Sequence, residues 1–126
     1  MNVNQKGVRG LIKCLDDLHQ RGYYSFPAFD DHSPVDVIAM DKSGRLVRLQ
    51  VKYRSKDSHG YYQLCTQSVV NGKRVNINRD LIDGWAIFLE EDNKLLYIPV
   101  SYMQGKKTVN VNPSSDYGGL DTWRCG

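Results

Sequence analysis

The stretch PVDVIAMDKSGRLVRLQVKYR, residues 34–54, decides the fold. It opens with the apolar run VDVIAM, which one acid interrupts, and it ends with RLVRLQVKYR, in which apolar and polar residues alternate as in a β-strand. The segment DKSG between these runs supplies residues that favour a tight turn. The stretch therefore predicts a hairpin of two strands, the first of them central in its sheet.

The second strand has two unlike faces, because side chains alternate from one side of a strand to the other. One face carries three cations and an amide, namely Arg48, Gln50, Lys52 and Arg54. A half-buried sheet turns such a polar face to solvent. The hairpin also brings Asp36 close to this row, and a buried carboxylate is costly unless it is paired or binds a metal. Two interpretations stay open: a structural ion pair between Asp36 and Lys52, or a divalent-metal site beside a lysine.

The metal interpretation has a definite donor set. Hard cations such as magnesium take oxygen ligands. Asp36 offers a carboxylate, Gln50 a side-chain carbonyl and Val51 a backbone carbonyl. Lys52 is then placed to orient or activate a water, or to stabilise charge that develops on a phosphate. This combination is typical of metal-dependent phosphodiester hydrolysis.

The rest of the chain predicts one helix and several strands. Residues 4–21 carry apolar side chains at helical spacing, and Gly22 follows as a stop. YYSFPAF contains Pro27 and predicts an edge strand. VNGKRVNI predicts a loop or a hairpin tip around Asn71 and Gly72, while GWAIFLE and KLLYIPV predict two strands joined by the turn EDN. The architecture is an α+β arrangement, an N-terminal helix followed by a mostly antiparallel meander.

Length and composition fit one globular domain. The chain has 126 residues, a net charge of +3 and a pI near 8.8, a mildly basic balance that weakly favours an anionic partner. It lacks an apolar run of the roughly 20 residues that a membrane helix needs, and its first residues are polar, so we expect a cytoplasmic protein. Cys14, Cys65 and Cys125 are odd in number and far apart, which argues against a disulfide framework or a zinc site.

The pattern PVD…LQVK resembles that of the PD-(D/E)XK nuclease superfamily, in the variant where Gln replaces the second acidic residue. The order of the helix, the RGYY strand start, the DDHSPVD loop and the QVK strand is similar to that of its group I intron-associated homing endonucleases. The resemblance covers roughly residues 6–112. One position differs, because many relatives have a glutamate after the second glycine of the first helix and this chain has Leu11.

The resemblance implies a restriction-endonuclease-like core, with a central mixed sheet flanked by helices. It implies that Asp36 is a metal ligand, that Gln50 occupies the second ligand position and that Lys52 is the catalytic lysine. Magnesium would be the cofactor and double-stranded DNA the substrate. A homo-oligomer, either a dimer or a tetramer, is expected because two DNA strands need two active sites.

We therefore predict a magnesium-dependent, site-specific DNA endonuclease of the homing type, with a nuclease domain over residues 1–113 and a C-terminal tail over residues 114–126. Two alternatives remain: a catalytically degenerate DNA-binding or accessory protein with the same fold, which Leu11 motivates, and a junction resolvase. The cations expected to contact DNA phosphates are Lys6, Arg9, Arg48, Arg54, Lys56, Lys73 and Arg74.

Overall fold

The computed structural model describes residues 1–30, 32–76, 80–103, 105–115, 117 and 119–123, without the side chains of 68–70 and 74–76. Helix α1 spans Val3–Gln20 and begins with a capping box, in which Asn2 and Gln5 each accept a hydrogen bond from the other's backbone amide at 2.9 Å. Gly22, with a φ of +84°, lies just beyond the helix end. The predicted helix and its glycine stop are confirmed.

Strands make up most of the remaining regular structure. In chain order they are β1 (Tyr24–Pro27), β2 (Val37–Met40), β3 (Leu46–Arg54), β4 (Tyr62–Cys65), β5 (Gln67–Val70), β6 (Lys73–Asn76), β7 (Gly84–Leu89), β8 (Lys94–Pro99) and β9 (Thr108–Val111). The β5–β6 turn has positive φ at both Asn71 (51°) and Gly72 (76°), which confirms the predicted tip. Helix α1 is not long and apolar enough to cross a membrane, and the described residues contain no other helix that is.

The central sheet has the order β1-β2-β3-β7-β8, so the predicted mostly antiparallel arrangement is confirmed, although the chain does not run through it as a continuous meander. The chain leaves the sheet after β3 and returns with β7, which pairs in parallel with β3, for example Gln50 opposite Trp85. Every residue of β7 is buried, as is usual for a strand covered on both faces. The sheet is therefore mixed, which confirms the restriction-endonuclease-like core with an N-terminal helix packed on it.

Different structures cover the two faces of the sheet. On the helix face, α1 packs over Val47, Leu49 and Val51 of β3. On the opposite face, the two-stranded ribbon β4–β9 packs over Trp85 and Ile87 of β7. We call this second side the ribbon face. Among the described residues this face has no α-helix of the kind that the family resemblance implied; its cover is the β4–β9 ribbon together with a short 3-10 helix, Val100–Met103.

The ribbon covers only one half of the ribbon face. Tyr24 and Phe26 of β1 and Leu46 of β3 lie on the other half, and their side chains are 56%, 52% and 49% exposed. The residues expected to form the site lie between the covered and the open halves, and each is half-buried.

Part of the predicted tail packs into the core. Leu120 and Trp123 are buried in the cluster beneath α1, and the Arg45 guanidinium donates hydrogen bonds to the carbonyl oxygens of both residues. Trp123 lies directly against Gly84, where a Cβ would be 2.4 Å from the indole ring. Cys125 lies outside the described residues, while Cys14 and Cys65 are free thiols. The division at residue 113 stays a prediction.

Candidate active site

Asp36 and Gln50 lie opposite each other across β2 and β3. The register pairs Val37 with Leu49, and Asp36 is one residue outside β2, with its backbone N–H bonded to the Leu49 carbonyl at 2.9 Å. Because Val37 and Leu49 point into the core beneath α1, their neighbours Asp36 and Gln50 both point to the ribbon face. Lys52 follows on the same face. The structure thus brings the three predicted side chains onto one surface.

The Asp36 carboxylate accepts a backbone hydrogen bond from β3 at a point where β2 no longer pairs with that strand. β3 continues to Arg54, whereas its pairing with β2 ends at Leu49. The backbone N–H of Val51 donates to Asp36 Oδ2 at 2.7 Å. In an extended strand the N–H and C=O of one residue point to the same side. The Val51 carbonyl therefore also points toward the Asp36 side of the strand.

Burial shifts the pKa values of both charged groups. It raises the pKa of Asp36, against the opposing effects of the Val51 N–H and the Lys52 charge. It lowers the pKa of Lys52, assisted by the nearby Arg54 and opposed by Asp36. The alternative of a structural Asp36–Lys52 ion pair is not realised, since no described carboxylate lies within 4.0 Å of the Lys52 ammonium.

Gln50 is oriented by two hydrogen bonds. The Trp85 indole Nε1 donates to Gln50 Oε1 at 3.1 Å, and Gln50 Nε2 donates to the Pro34 carbonyl at 3.3 Å. An indole N–H only donates, so these partners fix which end of the amide is oxygen. The oxygen lies toward β7 and the nitrogen toward the loop before β2. A cation that used this oxygen would share it with the indole or displace that hydrogen bond.

Trp85 was expected only as a core residue, and its contact with Gln50 was missed. The residue is fully buried, as expected. A buried indole N–H normally finds an acceptor, and that rule was the available signal. Identifying Gln50 as the acceptor requires the parallel pairing of β3 with β7, which places the two residues opposite each other.

Two of the three predicted donors, the Asp36 carboxylate and the Val51 carbonyl, lie on the same side of β3 and suit a magnesium ion that keeps several of its waters, whereas the Gln50 oxygen points toward β7. Asp36, Gln50 and the Val51 carbonyl are hard oxygen donors, and Mg²⁺ typically uses one or two carboxylates with water completing its shell. A single carboxylate predicts weak binding. Among the described residues no group of three or more His, Cys, Asp or Glu side chains is arranged to hold a metal ion.

Two of the predicted DNA contacts, Arg48 and Arg54, have partners within the protein. The Arg48 guanidinium donates to the buried Asp83 carboxylate at 3.0 and 3.1 Å and to the Asp80 carbonyl at 2.8 Å. Arg54 donates from Nε to the Gln63 carbonyl at 3.0 Å, which ties β3 to the ribbon. Asp83 was not identified from the sequence, because its partner lies 35 residues earlier in the chain.

The other predicted contacts lie at scattered surface positions. Arg9 and Lys73 are exposed, and Lys6 is half-buried with its ammonium 5.9 Å from the Tyr53 ring centre. Lys56 is exposed and lies 3.9 Å from Asp92. The side chain of Arg74 lies outside the described residues. Leu11, at the position of the family's helix glutamate, packs against the core beneath α1.

An α+β fold with an N-terminal helix packed on a mixed sheet is the restriction-endonuclease-like fold. A family model described as PD-(D/E)XK endonuclease matches residues 1–114, and the chain belongs to that family. Members of this family act on DNA and generally use divalent metal ions.

One solved structure shares the fold over the whole chain. The bacterial homing endonuclease I-Ssp6803I is similar over 100% of this chain and 85% of that one, with a TM-score of 0.75 and 14% sequence identity. At this identity the likeness shows the fold alone. No curated protein matches the chain.

Proposed function

We propose that this chain is a magnesium-dependent, site-specific DNA endonuclease of the homing type, which hydrolyses phosphodiester bonds. The arrangement of Asp36, Gln50 and Lys52 on the ribbon face carries the proposal, with the Asp36 carboxylate held by the Val51 N–H. The group I intron-associated branch and the role of Gln50 as the second ligand are part of the same proposal. Its support is the family, the fold and the oxygen-rich donor set.

Each side chain has a distinct role. Asp36, Gln50 and the Val51 carbonyl would hold the magnesium ion, which would supply Lewis-acid activation of water and of the phosphate. Lys52 lies on the same face, where its ammonium would orient the attacking water and stabilise charge on the scissile phosphate. For Gln50 to act as a ligand, its oxygen would share the Trp85 hydrogen bond with the ion or leave it.

We also propose how the protein meets its substrate. Exposed cations at Arg9, Lys56 and Lys73 give phosphate contacts of the kind that depend on salt. Lys6 and Arg74 belong to the same proposal. Cleavage of both strands requires two copies of the site, and we therefore propose a homo-oligomer in the cytoplasm. Light scattering of the purified chain checks the oligomeric state.

A plasmid-nicking assay tests the activity. We expect the wild-type chain to nick supercoiled DNA in magnesium and not in EDTA. Lys52→Met should abolish nicking because it removes the ammonium, while Lys42→Met, an exposed lysine in the β2–β3 turn, should leave nicking unchanged. Equal nicking by wild type and Lys52→Met would contradict the assigned role.

Calorimetric titration of magnesium gives a readout that needs no cognate DNA. Asp36→Asn removes the only carboxylate of the donor set and should abolish measurable binding. If the wild type and Asp36→Asn bind magnesium equally, the ion does not bind at Asp36.

Leu11 favours a second candidate, a degenerate member of the family that binds DNA without cutting it. Its side chain packs in the core and supplies no oxygen donor. The variant Leu11→Glu distinguishes the two. If wild type is silent and the variant nicks DNA, the chain is a degenerate nuclease, whereas cleavage by wild type excludes this candidate.

A further inference from the structure

The outer side of the β4–β9 ribbon presents two side-chain amides opposite each other. The register pairs Gln63 with Asn110, and the structure places both residues at the surface. Residues directly opposite in an antiparallel pair lie on the same side, with Cβ atoms about 5 Å apart. Neither carboxamide has a hydrogen-bond partner among the described residues. Each therefore has its full set of donors and acceptors available.

The inner side of the ribbon fixes it to the sheet. Tyr62, Leu64 and Val111 are buried against β7 and β8 in one apolar cluster. The Thr66 hydroxyl donates to the backbone carbonyls at Lys106 and Lys107, which ties the end of β4 to the start of β9. The two amides consequently project from a packed element rather than from a loose loop.

The ribbon is joined directly to the strand that carries the candidate site. Arg54 lies two residues beyond Lys52 on the ribbon face, and its Nε donates to the backbone carbonyl of Gln63 at 3.0 Å. The base of the ribbon is thus close to the site, and its outer side points away from the central sheet.

The expected height of the ribbon above the central sheet matches the depth of the major groove of duplex DNA. Packed sheets lie about 10 Å apart, and the major groove is about 8.5 Å deep and about 12 Å wide. If a DNA phosphate lies against Lys52 on the central sheet, the ribbon extends about 10 Å farther from the sheet. That distance is enough to reach the base edges at the bottom of the groove. Its two strands are about 4.8 Å apart, so the ribbon fits the width of that groove.

We propose that Gln63 and Asn110 read adenine in the major groove of the DNA at which the candidate site acts. The proposal rests on the proposed nuclease function. A glutamine or asparagine amide can donate to adenine N7 and accept from adenine N6, a pairing that no other base offers in the same pattern. Two amides side by side then select A·T pairs at two neighbouring positions, displaced from the scissile phosphate toward the ribbon.

Selection from a library of randomised DNA duplexes tests the proposal with the full chain. Bound DNA is sequenced without magnesium, and cut ends are sequenced with magnesium. We expect wild type to select a motif that contains adenine at one or two adjacent positions. Gln63→Ala and Asn110→Ala should each reduce that preference about ten-fold at one position and leave the rest of the motif unchanged. Gln63→Glu should shift the preference at its position toward cytosine, whose N4 donates to a carboxylate.

Gln20→Ala is the matched control, because Gln20 is an exposed amide on α1, on the other side of the sheet. It should select the wild-type motif. The inference is overturned if the ribbon variants select the same motif as wild type, and the proposed function then stands. It is also overturned if wild type cuts DNA without sequence preference, in which case nuclease activity stands and the proposed site specificity fails. If wild type neither binds nor cuts any duplex, the proposed function fails as well.

Discussion

The indole of Trp85 donates a hydrogen bond at 3.1 Å to the side-chain oxygen of Gln50, the residue directly opposite it on the neighbouring parallel strand. This contact joins the core to the candidate site. The contact keeps the amide oxygen on the β7 side. Because residue 50 is an amide, Asp36 is the only carboxylate among the proposed ligands.

Gln50→Glu should therefore strengthen metal binding. A carboxylate still accepts the Trp85 hydrogen bond and adds a negative charge opposite Asp36. We expect magnesium to bind about ten-fold more tightly, because affinity for hard cations rises with the number of charged ligands. Calorimetric titration measures the change, with Gln50→Ala as the weaker-binding comparison. Equal affinities for all three proteins would show that residue 50 is not a ligand.

Arg48→Ala should destabilise the fold without altering phosphate contacts. The substitution leaves Asp83 buried and without its ion-pair partner, which costs about 3 kcal/mol in comparable cases. Urea denaturation measures this loss. The salt dependence of DNA binding should stay the same in Arg48→Ala, whereas Lys73→Ala should reduce its slope by about one. A stable Arg48→Ala variant with a reduced slope would instead assign the guanidinium to DNA.

Glu90 should make part of the stability depend on pH. Its carboxylate accepts hydrogen bonds from Ser55 Oγ at 2.5 Å and from the Tyr53 hydroxyl at 2.7 Å, and these bonds lower its pKa. Because the folded pKa lies below the unfolded value, the unfolded chain binds more protons between the two values. The contribution is complete above the unfolded pKa of about 4.3 and is lost as the pH falls through the folded pKa.

Urea denaturation across a pH series checks this expectation. Glu90→Gln should be less stable than wild type at pH 7, and the difference should shrink as the solution is acidified. Ser55→Ala should show a smaller effect of the same sign, since the Tyr53 hydrogen bond remains. A constant difference at all pH values would mean that the carboxylate charge is not involved.

Gly84→Ala should destabilise the protein, because the new Cβ would lie 2.4 Å from the Trp123 ring and 2.5 Å from the Ile98 carbonyl oxygen. Such overpacking in a core typically costs about 1–3 kcal/mol. Gly7→Ala is the matched comparison, because Gly7 lies inside α1 and a Cβ there would have no tertiary neighbour within 4 Å. This substitution should stabilise the protein by about 0.5–1 kcal/mol. Thermal denaturation separates the two, and a neutral Gly84→Ala would show that Trp123 moves aside easily.

Local features of the fold were accessible from the sequence. The helix, the β2–β3 hairpin and the turn at Asn71 and Gly72 all follow from residues close together in the chain. The parallel pairing of β3 with β7 could not be predicted from the sequence, because it joins residues such as Leu49 and Gly84 across a long connection. Alternating hydrophobicity assigns a strand to a face but does not identify its neighbour.

The candidate site divides in the same way. A period of two and the hairpin register were enough to place Asp36, Gln50 and Lys52 on one face. The partners Trp85 and Asp83 depend on the position of β7 and were therefore missed. The hydrogen bond from Arg54 to Gln63 was missed too, because alternation cannot show that a second layer, the β4–β9 ribbon, lies above part of that face.

The seam between β3 and β7 has a consequence for how the chain folds. β1, β2 and β3 form from contacts near in sequence, as do β7 and β8, but the two groups meet only when a long loop closes, which makes their docking the slow step. Asp36, Gln50 and Lys52 belong to the first group and Trp85 to the second. We therefore expect the acid and the lysine to come together early, and the amide to acquire its fixed orientation last, when the two groups of strands pair.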